Sequence, residues 1–374
     1  MVMAGYEWKG ERPFDKVYFT GMVRDKQGRK MSKSLGNSPD ALKMIDEHGA
    51  DAVRFGMLSC SPAGGDLLFD MKLVEQGRNF CNKMWNALKL TDMWEVDDRA
   101  PSDTQKLAVK WMQSRLAQMV HRMPGALAQF RLSDTLMQLY NFIWTDFCSW
   151  YLELVKPDYE EKMSRETYDV TRQMYADIMI LLHPFMPFVT EEIWSHLKPD
   201  VSDCTVQELP ELQTADTEVL SAMEEARGLV TKVREIRNDK GIGAREPLKL
   251  LVQSGKKYPL WSGPFSSLLQ RMGQLGELGY ADARPDQSVS FVSGTDTYYV
   301  PIGDFIDTEA EIEKLNKDLE YARGFLKSVE KKLSNERFVN NAPDQVVEKE
   351  KQKQRDGAER LAQIEAALKA LEKG

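Results

Sequence analysis

The sequence predicts a mainly α protein made of consecutive modules: a mixed α/β segment, a helical bundle, a small α/β domain and a C-terminal antiparallel coiled-coil hairpin. Three observations carry this expectation. Residues 133–155 place Leu136, Leu139, Ile143, Phe147, Trp150 and Leu154 at steps of three and four, the period of one helix face. Ile312, Leu315, Leu319, Ala322, Leu326, Val329 and Leu333 alternate the same steps without a break, which is a heptad seam. The 374 residues also exceed what one compact domain usually holds, so two to four domains are expected.

The first segment, 1–75, is mixed. Val17-Tyr18-Phe19-Thr20 reads as a short strand, and the polar stretch with Gly21, Gly28 and Gly36 as a loop. Pro39-Asp40-Ala41 opens a helix through Ile45, Asp51–Leu58 reads as a second helix, and Pro62, Gly64 and Gly65 as a turn.

Residues 76–215 read as a bundle of antiparallel helices. Leu107, Trp111, Leu116, Met119 and Val120 share one face of a helix over 102–122. Ser133 is expected to cap the helix 133–155, Asp134 to suit its first turn and Pro157 to mark its end. Ser164 starts a helix with Tyr168, Met174, Ile178 and Leu182 inward, and Thr190–Trp194 starts a short further one.

Residues 216–308 read as a small α/β domain. A helix over 217–237 turns Val219, Met223, Val230, Val233 and Ile236 to one side, and Gly241 and Gly243 terminate it. Pro247 leads into a strand over 248–252, and Ser288–Ser293 and Thr297–Ile302 flank Gly294-Thr295-Asp296 as a hairpin. In 309–374 a loop with Asn340, Asn341 and Pro343 separates the heptad seam from a second one, which runs through Val347, Leu361, Ile364, Leu368 and Leu371. Glu350, Gln354 and Gly357 interrupt that second seam.

Composition narrows the function classes. With 42% hydrophobic and 29% charged residues, the chain is an ordinary globular protein. No run of about 18 apolar residues occurs, so no membrane-spanning helix is expected. The first residues lack the basic and apolar regions of a signal peptide, which makes a cytoplasmic location the expectation. Cys60, Cys81, Cys148 and Cys204 form no C-x-x-C pair, and His48, His121, His183 and His196 no H-x-x-x-H pair, so neither a disulfide framework nor a zinc site is expected. The net charge of −8 argues against generic nucleic-acid binding, but residues 24–33 gather Arg24, Lys26, Arg29, Lys30 and Lys33 against Asp25 alone.

The sharpest chemical signal is Lys30-Met31-Ser32-Lys33-Ser34, followed by Leu35-Gly36-Asn37. Two ammonium groups on flexible stems reach phosphate oxygens as point charges. Successive N–H groups of a loop of small residues add an anion-binding nest. Both matter most when negative charge builds on a departing pyrophosphate. A bare K-x-x-K would read as a solvated basic loop; five specific residues with the Leu-Gly-Asn extension favour the phosphate reading.

This stretch resembles the second signature of class I aminoacyl-tRNA synthetases. By that resemblance the loop binds ATP and stabilises the transition state of amino-acid activation, with Lys30 and Lys33 catalytic and Lys30, Met31, Ser32, Lys33 and Ser34 forming the nucleotide site. Gly21–Asp25 and Asn37–Asp40 are similar to the valyl, isoleucyl and leucyl subgroup. Phe142–Glu153 and His183–Phe188 are similar to its helical anticodon-binding domain. Asn335–Pro343, between two heptad helices, resembles the C-terminal arm of valyl-tRNA synthetases. The resemblance covers essentially the whole chain in order and points to the C-terminal portion of that family. It implies that 1–75 is the remnant of an α/β nucleotide-binding catalytic domain, 76–215 the helical anticodon-binding bundle, 216–308 a small α/β domain and 309–374 a coiled-coil tRNA-binding arm.

The resemblance further implies ATP with Mg2+ as substrate, valine and valine tRNA as partners in the intact enzyme, no membrane, and a monomer. One departure is plain. The family's His-x-Gly-His element is absent, since His48-Gly49 is followed by Ala50. The isolated chain is therefore expected to be inactive in valine activation. A free-standing tRNA-binding module, or a fragment of an isoleucyl or leucyl enzyme, are the alternatives.

Three further features carry competing readings. Trp144, Trp150 and Tyr151 suit either base stacking or a core, and aromatics at helical spacing are usually core. Arg227, Lys232, Arg234, Arg237 and Lys240 decorate the helix 217–237 as a solvated face or as tRNA phosphate contacts, for which Arg234 and Arg237 are the test residues. The terminal seam suits a dimer or an intramolecular arm, and its basic run Lys349, Lys351, Lys353 and Arg355 suits RNA. The adjacent pairs Glu191–Glu192 and Asp97–Asp98 read as helix-start and loop charges, not as an acid/base pair.

Overall fold

The computed structural model describes residues 1–374 except 20, 62–64, 159, 212, 254–258, 306–307, 335–347, 359–360 and 362–374, and excludes the side chains of 304 and 308–315. The chain forms two compact units, Met1–Glu224 and Glu225–Gly374.

The first unit opens with α1 (Val2–Lys9), none of whose residues is buried, so it leaves no hydrophobic period to read. Strand β1 is Val23–Arg24, pairing in parallel with β2 (Leu67–Leu68). The strand expected at Val17–Thr20 is not there: residues 17–19 are unpaired and Thr20 lies outside the described residues. The partner backbone decides this, because the Leu67 and Phe69 amides donate to the carbonyls of Met22 and Arg24 (both 2.9 Å). The turn at Pro62 and Gly64 also falls outside the described residues.

Helix α2 (Ala41–His48) is capped by Asp40, whose carboxylate accepts from the Leu42 and Lys43 amides. Helices α3 (Ala50–Ser59) and α4 (Met71–Asp92) follow, then β3 (Val96–Asp97). Helix α5 (Asp103–Ala128) starts with a capping box in which the Ser102 hydroxyl accepts from the Gln105 amide and the Gln105 side chain accepts from the Ser102 amide.

The periodic stretch 133–155 is one helical rod in three parts: α6 (Leu132–Asn141), a π-helical run Phe142–Tyr151, and α7 (Leu152–Val155). Ser133 does not cap it. Its hydroxyl donates to the Ser59 carbonyl on α3 (2.8 Å), and the N-cap position is Arg131. A tertiary acceptor outcompetes the local cap. Lys156, before Pro157, takes an extended ψ of 137°, as crowding by the proline ring requires.

Strand β4 (Met163–Ser164) pairs with β3, and the Ser164 hydroxyl caps α8 (Arg165–Leu182). Helix α9 (Pro187–Leu197) begins three residues before Thr190, with proline at the first helical position, where no N–H is needed. Trp111, Tyr151, Tyr175, Phe55, Phe80, Phe142 and Phe147 are fully buried.

Helix α10 (Thr217–Asp239) crosses the division between the units. The second unit holds a four-stranded sheet in the order β6-β5-β8-β7: β5 (Leu248–Gln253), β6 (Leu275–Tyr280), β7 (Ser288–Ser293) and β8 (Asp296–Pro301). Strands β5 and β6 are parallel and joined through α11 (Gly263–Gly273); the hairpin β7–β8 is antiparallel, as the sequence suggests. The sequence reading assigned no element to α11 or β6. The latter, Leu-Gly-Glu-Leu-Gly-Tyr, has glycines where alternation would show.

Helix α12 (Thr308–Leu333) and the helical residues 348–358 run antiparallel. Lys332 lies 3.9 Å from Glu350, while Gly357 sits beside Phe325 and Leu326. Glu350 and Gly357 are buried and Gln354 half-buried, so the three interrupting residues do occupy the inward face. The connecting loop, with Asn340, Asn341 and Pro343, and the seam residues Val347, Ile364, Leu368 and Leu371 lie outside the described residues.

Candidate functional site

The lysine loop is built on a tight hairpin. The Met31 amide donates to the Val23 carbonyl (3.0 Å) and the Asp25 amide to the Arg29 carbonyl (2.9 Å), with an antiparallel bridge between Arg24 and Lys30. Met31 packs against the cluster of Met44, Ala52, Phe69 and Val74, which anchors one side of the loop to α2, α3 and α4.

Asn37 closes the loop from within. Its amide nitrogen donates to Asp25 Oδ2 (3.0 Å) and to the Lys30 carbonyl (3.2 Å), and its Oδ1 accepts from the Ser32 amide (3.0 Å). The hydroxyls of Ser32 and Ser34 are 3.1 Å apart, and Ser32 Oγ also accepts from the Leu35 amide. Gly36 completes the turn with φ +64°, a conformation that costs a residue with a Cβ, and its amide donates to the Lys33 carbonyl (3.1 Å).

Charge is distributed unevenly over this loop. Arg24 pairs with Asp66, Lys26 with Asp70 (2.8 Å) and Arg29 with Asp25 (2.7 Å). The excess seen in the sequence is therefore largely neutralised by two aspartates more than forty residues downstream, which the sequence reading did not connect to it. The Asn37 amide, then the Arg29 guanidinium, hold the Asp25 carboxyl well below the usual carboxylate range. Hydrogen bonding by Arg24 and by Lys26 lowers Asp66 and Asp70 in the same way. Among the described residues, the ammonium groups of Lys30 and Lys33 have no ion pair or hydrogen-bond partner, and both residues are exposed. The sequence-predicted residues Lys30, Met31, Ser32, Lys33 and Ser34 thus share one loop, held from below by Met31 and Ser32 with two cations left available. No group of three His, Cys, Asp or Glu side chains suited to a metal ion occurs among the described residues.

Two residues that the sequence reading gave no role join the loop-bearing segment to the bundle. The Asp51 carboxylate accepts from the Val189 amide (2.6 Å), capping α9 from α3. Arg54 donates to the carbonyls of Phe185 (2.9 Å) and Pro184 (3.1 Å) at the end of α8. Burial raises the Asp51 pKa, with the Val189 and Phe188 amides opposing the shift. The stretch His183–Phe188 is therefore where the helical bundle receives α3. No local pattern reveals it, since the partners lie about 130 residues apart.

In the bundle, Trp150 and Tyr151 are buried, as the core reading expects, and the Tyr151 hydroxyl lies 2.6 Å from Thr171 Oγ1. Trp144 is half-buried and stacks on Tyr140, with Lys83 over its ring. Arg115 pairs with the buried Asp146 (2.7 Å).

The basic face of α10 needs correction. Arg237 is buried, and its guanidinium donates to the carbonyls of Gly243 (2.7 Å), Glu246 (2.8 Å), Gln274 (3.3 Å) and Gly273 (3.4 Å). Burial lowers its pKa. Arg234 donates to the Met272 carbonyl (2.7 Å). Arg237 closes the small α/β fold and presents no phosphate-facing cation, whereas Arg234 stays exposed beside the Met272 carbonyl. In the arm, Lys353 pairs with Glu350 (2.6 Å), and Arg355 (2.8 Å) and Lys351 (4.0 Å) with Glu348, so three of the four basic residues of the run pair within their own helix.

Three family models match in sequence order. Residues 1–70 match tRNA synthetases class I (I, L, M and V), residues 109–252 the anticodon-binding domain of tRNA ligase, and residues 307–372 the valyl tRNA synthetase tRNA binding arm. The chain is 43% identical over 378 residues to the valine–tRNA ligase of Bacteroides thetaiotaomicron, an alignment covering 100% of this chain and 42% of that relative. It is 44% identical to that of Christiangramia forsetii (99% and 42%) and 35% identical to that of Thermotoga maritima (100% and 43%). The chain thus spans about two-fifths of the length of these relatives.

Proposed function

From a chain that belongs to the valyl-tRNA synthetase family and corresponds to a C-terminal portion of its members, we propose the following function: it supplies the ATP-phosphate loop and the tRNA-binding modules of a valine–tRNA ligase. Residues 1–75 act as part of the catalytic domain, 76–215 as the anticodon-side bundle, 216–308 as a small connecting domain and 309–374 as the tRNA-binding arm. In the complete enzyme the valine carboxylate attacks the α-phosphate of ATP, pyrophosphate leaves, and a ribose hydroxyl at the tRNA 3′ end takes the valyl group from the adenylate. Mg2+ accompanies the ATP. The setting is the cytoplasm and the protein is a monomer.

The observation that carries the proposal is the pair of ammonium groups that have no partner among the described residues, on a loop where Arg24, Lys26 and Arg29 are paired. Lys33 contacts the departing phosphates and Lys30 the same charge from the neighbouring strand. Ser32 accepts from the Leu35 amide and meets the Ser34 hydroxyl, which shapes the loop around them. Their catalytic contribution is charge stabilisation and positioning, with no covalent step on the protein. A free-standing tRNA-binding module would give these lysines no task, and the match to a valyl arm sets aside an isoleucyl or leucyl fragment.

The test is trans-complementation. Adding the N-terminal portion of a family member is expected to restore valine-dependent ATP–pyrophosphate exchange, and Lys33→Ala to abolish it. The chain alone is expected to show none. Exchange by the isolated chain, or full activity of Lys30→Ala and Lys33→Ala together, refutes the assignment.

A further inference from the structure

Helix α3 presents opposite charges to the two helix ends that meet it at the α8–α9 corner. Helix α9 has no cap of its own: its N-cap residue is Met186, which has no side-chain oxygen to offer the first-turn amides. Asp51 supplies that acceptor from α3, taking the Val189 amide at 2.6 Å. One turn along, Arg54 donates to the carbonyls of Phe185 (2.9 Å) and Pro184 (3.1 Å), just past the end of α8. Residues three apart share a helix face, so anion and cation are presented together, each to the helix pole of opposite sign. Shifted by a turn or reversed, α3 would set the carboxylate against carbonyls or the guanidinium against amides. The pair therefore fixes the register, rotation and direction of α3 on the bundle. Strength alone does not account for it. Asp51 is buried, and its Oδ1 has no hydrogen-bond partner among the described residues, which costs stability. What the pair supplies is orientation.

Neighbouring residues of the same helix carry the lysine loop. Ala52, Val53 and Met57 belong to the cluster on which Met31 packs, with Met44, Phe69 and Val74. Helix α3 lies tight on α4 beside this cluster: a Cβ on Gly56 would stand 2.7 Å from Val74, and one on Gly77 2.8 Å from the Ala52 carbonyl oxygen. Met31 lies between Lys30 and Ser32, and the Asn37 side chain grips the backbone on both sides of it, at the Lys30 carbonyl and the Ser32 amide. Close packing of this kind transmits a shift of α3 to the lysines.

We propose that Asp51 and Arg54 are positioning residues for valine activation: by keying α3 to the α8–α9 corner they set, through Met31, where the ammonium groups of Lys30 and Lys33 stand as pyrophosphate leaves. This rests on the reading of the lysine loop as an ATP-phosphate loop. It makes a step that needs no tRNA depend on a contact with the helical bundle.

The experiment is ATP–pyrophosphate exchange without tRNA, by the full chain complemented with the N-terminal portion of a family member. Arg54→Met and Asp51→Ala are expected to lower kcat roughly ten- to hundredfold, the loss that about an ångström of misplacement brings, with the KM for valine unchanged. Arg54 is exposed, so the fold tolerates its replacement, and circular dichroism checks this. Asp51→Asn keeps an oxygen for the Val189 amide and is expected to retain most of kcat. Arg54→Lys, one ammonium in place of a fork, is expected to fall between. Thr171→Val removes the Tyr151–Thr171 hydrogen bond inside the bundle without touching α3, and is expected to lose stability but not kcat. In the full chain alone, brief trypsin digestion reads the loop directly. Cleavage after Lys30 and Lys33 is expected to accelerate several-fold in Arg54→Met and Asp51→Ala, but not in Thr171→Val. Wild-type kcat in both Arg54→Met and Asp51→Ala, or an equal fall in Thr171→Val, overturns the positioning role and leaves the lysine-loop assignment standing. If the wild-type chain restores no exchange, the lysine-loop assignment fails and the positioning role with it.

Discussion

Arg237→Met separates the two readings of the α10 basic face. The guanidinium makes two short hydrogen bonds to carbonyls, at 2.7 and 2.8 Å, and two long ones at 3.3 and 3.4 Å. Hydrogen bonds to a charged group contribute roughly 1.5–3 kcal/mol each, and the long pair adds little. Burying the cation costs part of that gain, while methionine recovers some packing but leaves the carbonyls without a donor. The net destabilisation expected is about 3 kcal/mol. For a unit of this size that corresponds to a fall in melting temperature of roughly 6–12 °C. Differential scanning calorimetry of the full chain reads it as an early transition of the Glu225–Gly374 unit, with the Met1–Glu224 transition unmoved. Arg237→Lys is expected to fall almost as far, since one ammonium cannot span carbonyls on both sides of a planar fork. An unchanged melting temperature, together with a weaker and flatter salt dependence of tRNA binding, would falsify this account and restore the phosphate-contact reading.

Other outcomes follow from the same geometry. Burial raises the Asp51 pKa, so the folded state binds its proton more tightly than the unfolded chain does. Stability from this group is complete below the unfolded value of about 3.9 and declines as pH rises through the folded value. Asp51→Asn is expected to flatten that part of the pH–stability curve without loss near neutrality, as urea titrations at several pH values would show; a steeper curve counts against it. Asp25 has the opposite sign. Its depressed pKa gives stability present above the unfolded value and lost only as pH falls well below it, and Asn37→Ala is expected to move that loss toward higher pH, followed by NMR titration of the Asp25 carboxyl. Gly357→Ala adds helix propensity at a site with room for a methyl group, and is expected to raise arm stability by roughly 0.5–1 kcal/mol in thermal melts followed by circular dichroism. Lys30→Ala and Lys33→Ala, whose ammonium groups have no partner among the described residues, are expected to leave the melting temperature within about 1 °C of wild type.

Much of the helical architecture was legible because it is written in period. Leu136 through Leu154 mark one face whether the backbone is α or, as over Phe142–Tyr151, π-helical; the buried positions survive the change of winding. Asp40 and Ser164 cap where short polar residues precede helices, because the bond they make is local. Ser133 has the same chemistry and does something else, since Ser59 of another helix comes within 2.8 Å. The five-residue lysine motif was legible as a candidate site, but the pairing of its neighbouring cations was not, because Asp66 and Asp70 lie far along the chain.

The sequence alone determined the helical faces, the antiparallel return of the arm and the position of the lysine loop, all of which rest on contacts within a few residues or on a repeating spacing. The tertiary structure alone decided which loop cations are paired, that Arg237 is buried among carbonyls, and how α3 is keyed into the bundle through Asp51 and Arg54. Those outcomes depend on distances between residues from 6 to 138 positions apart, and a side chain's charge or hydrogen-bonding capacity carries no mark of the partner that will meet it.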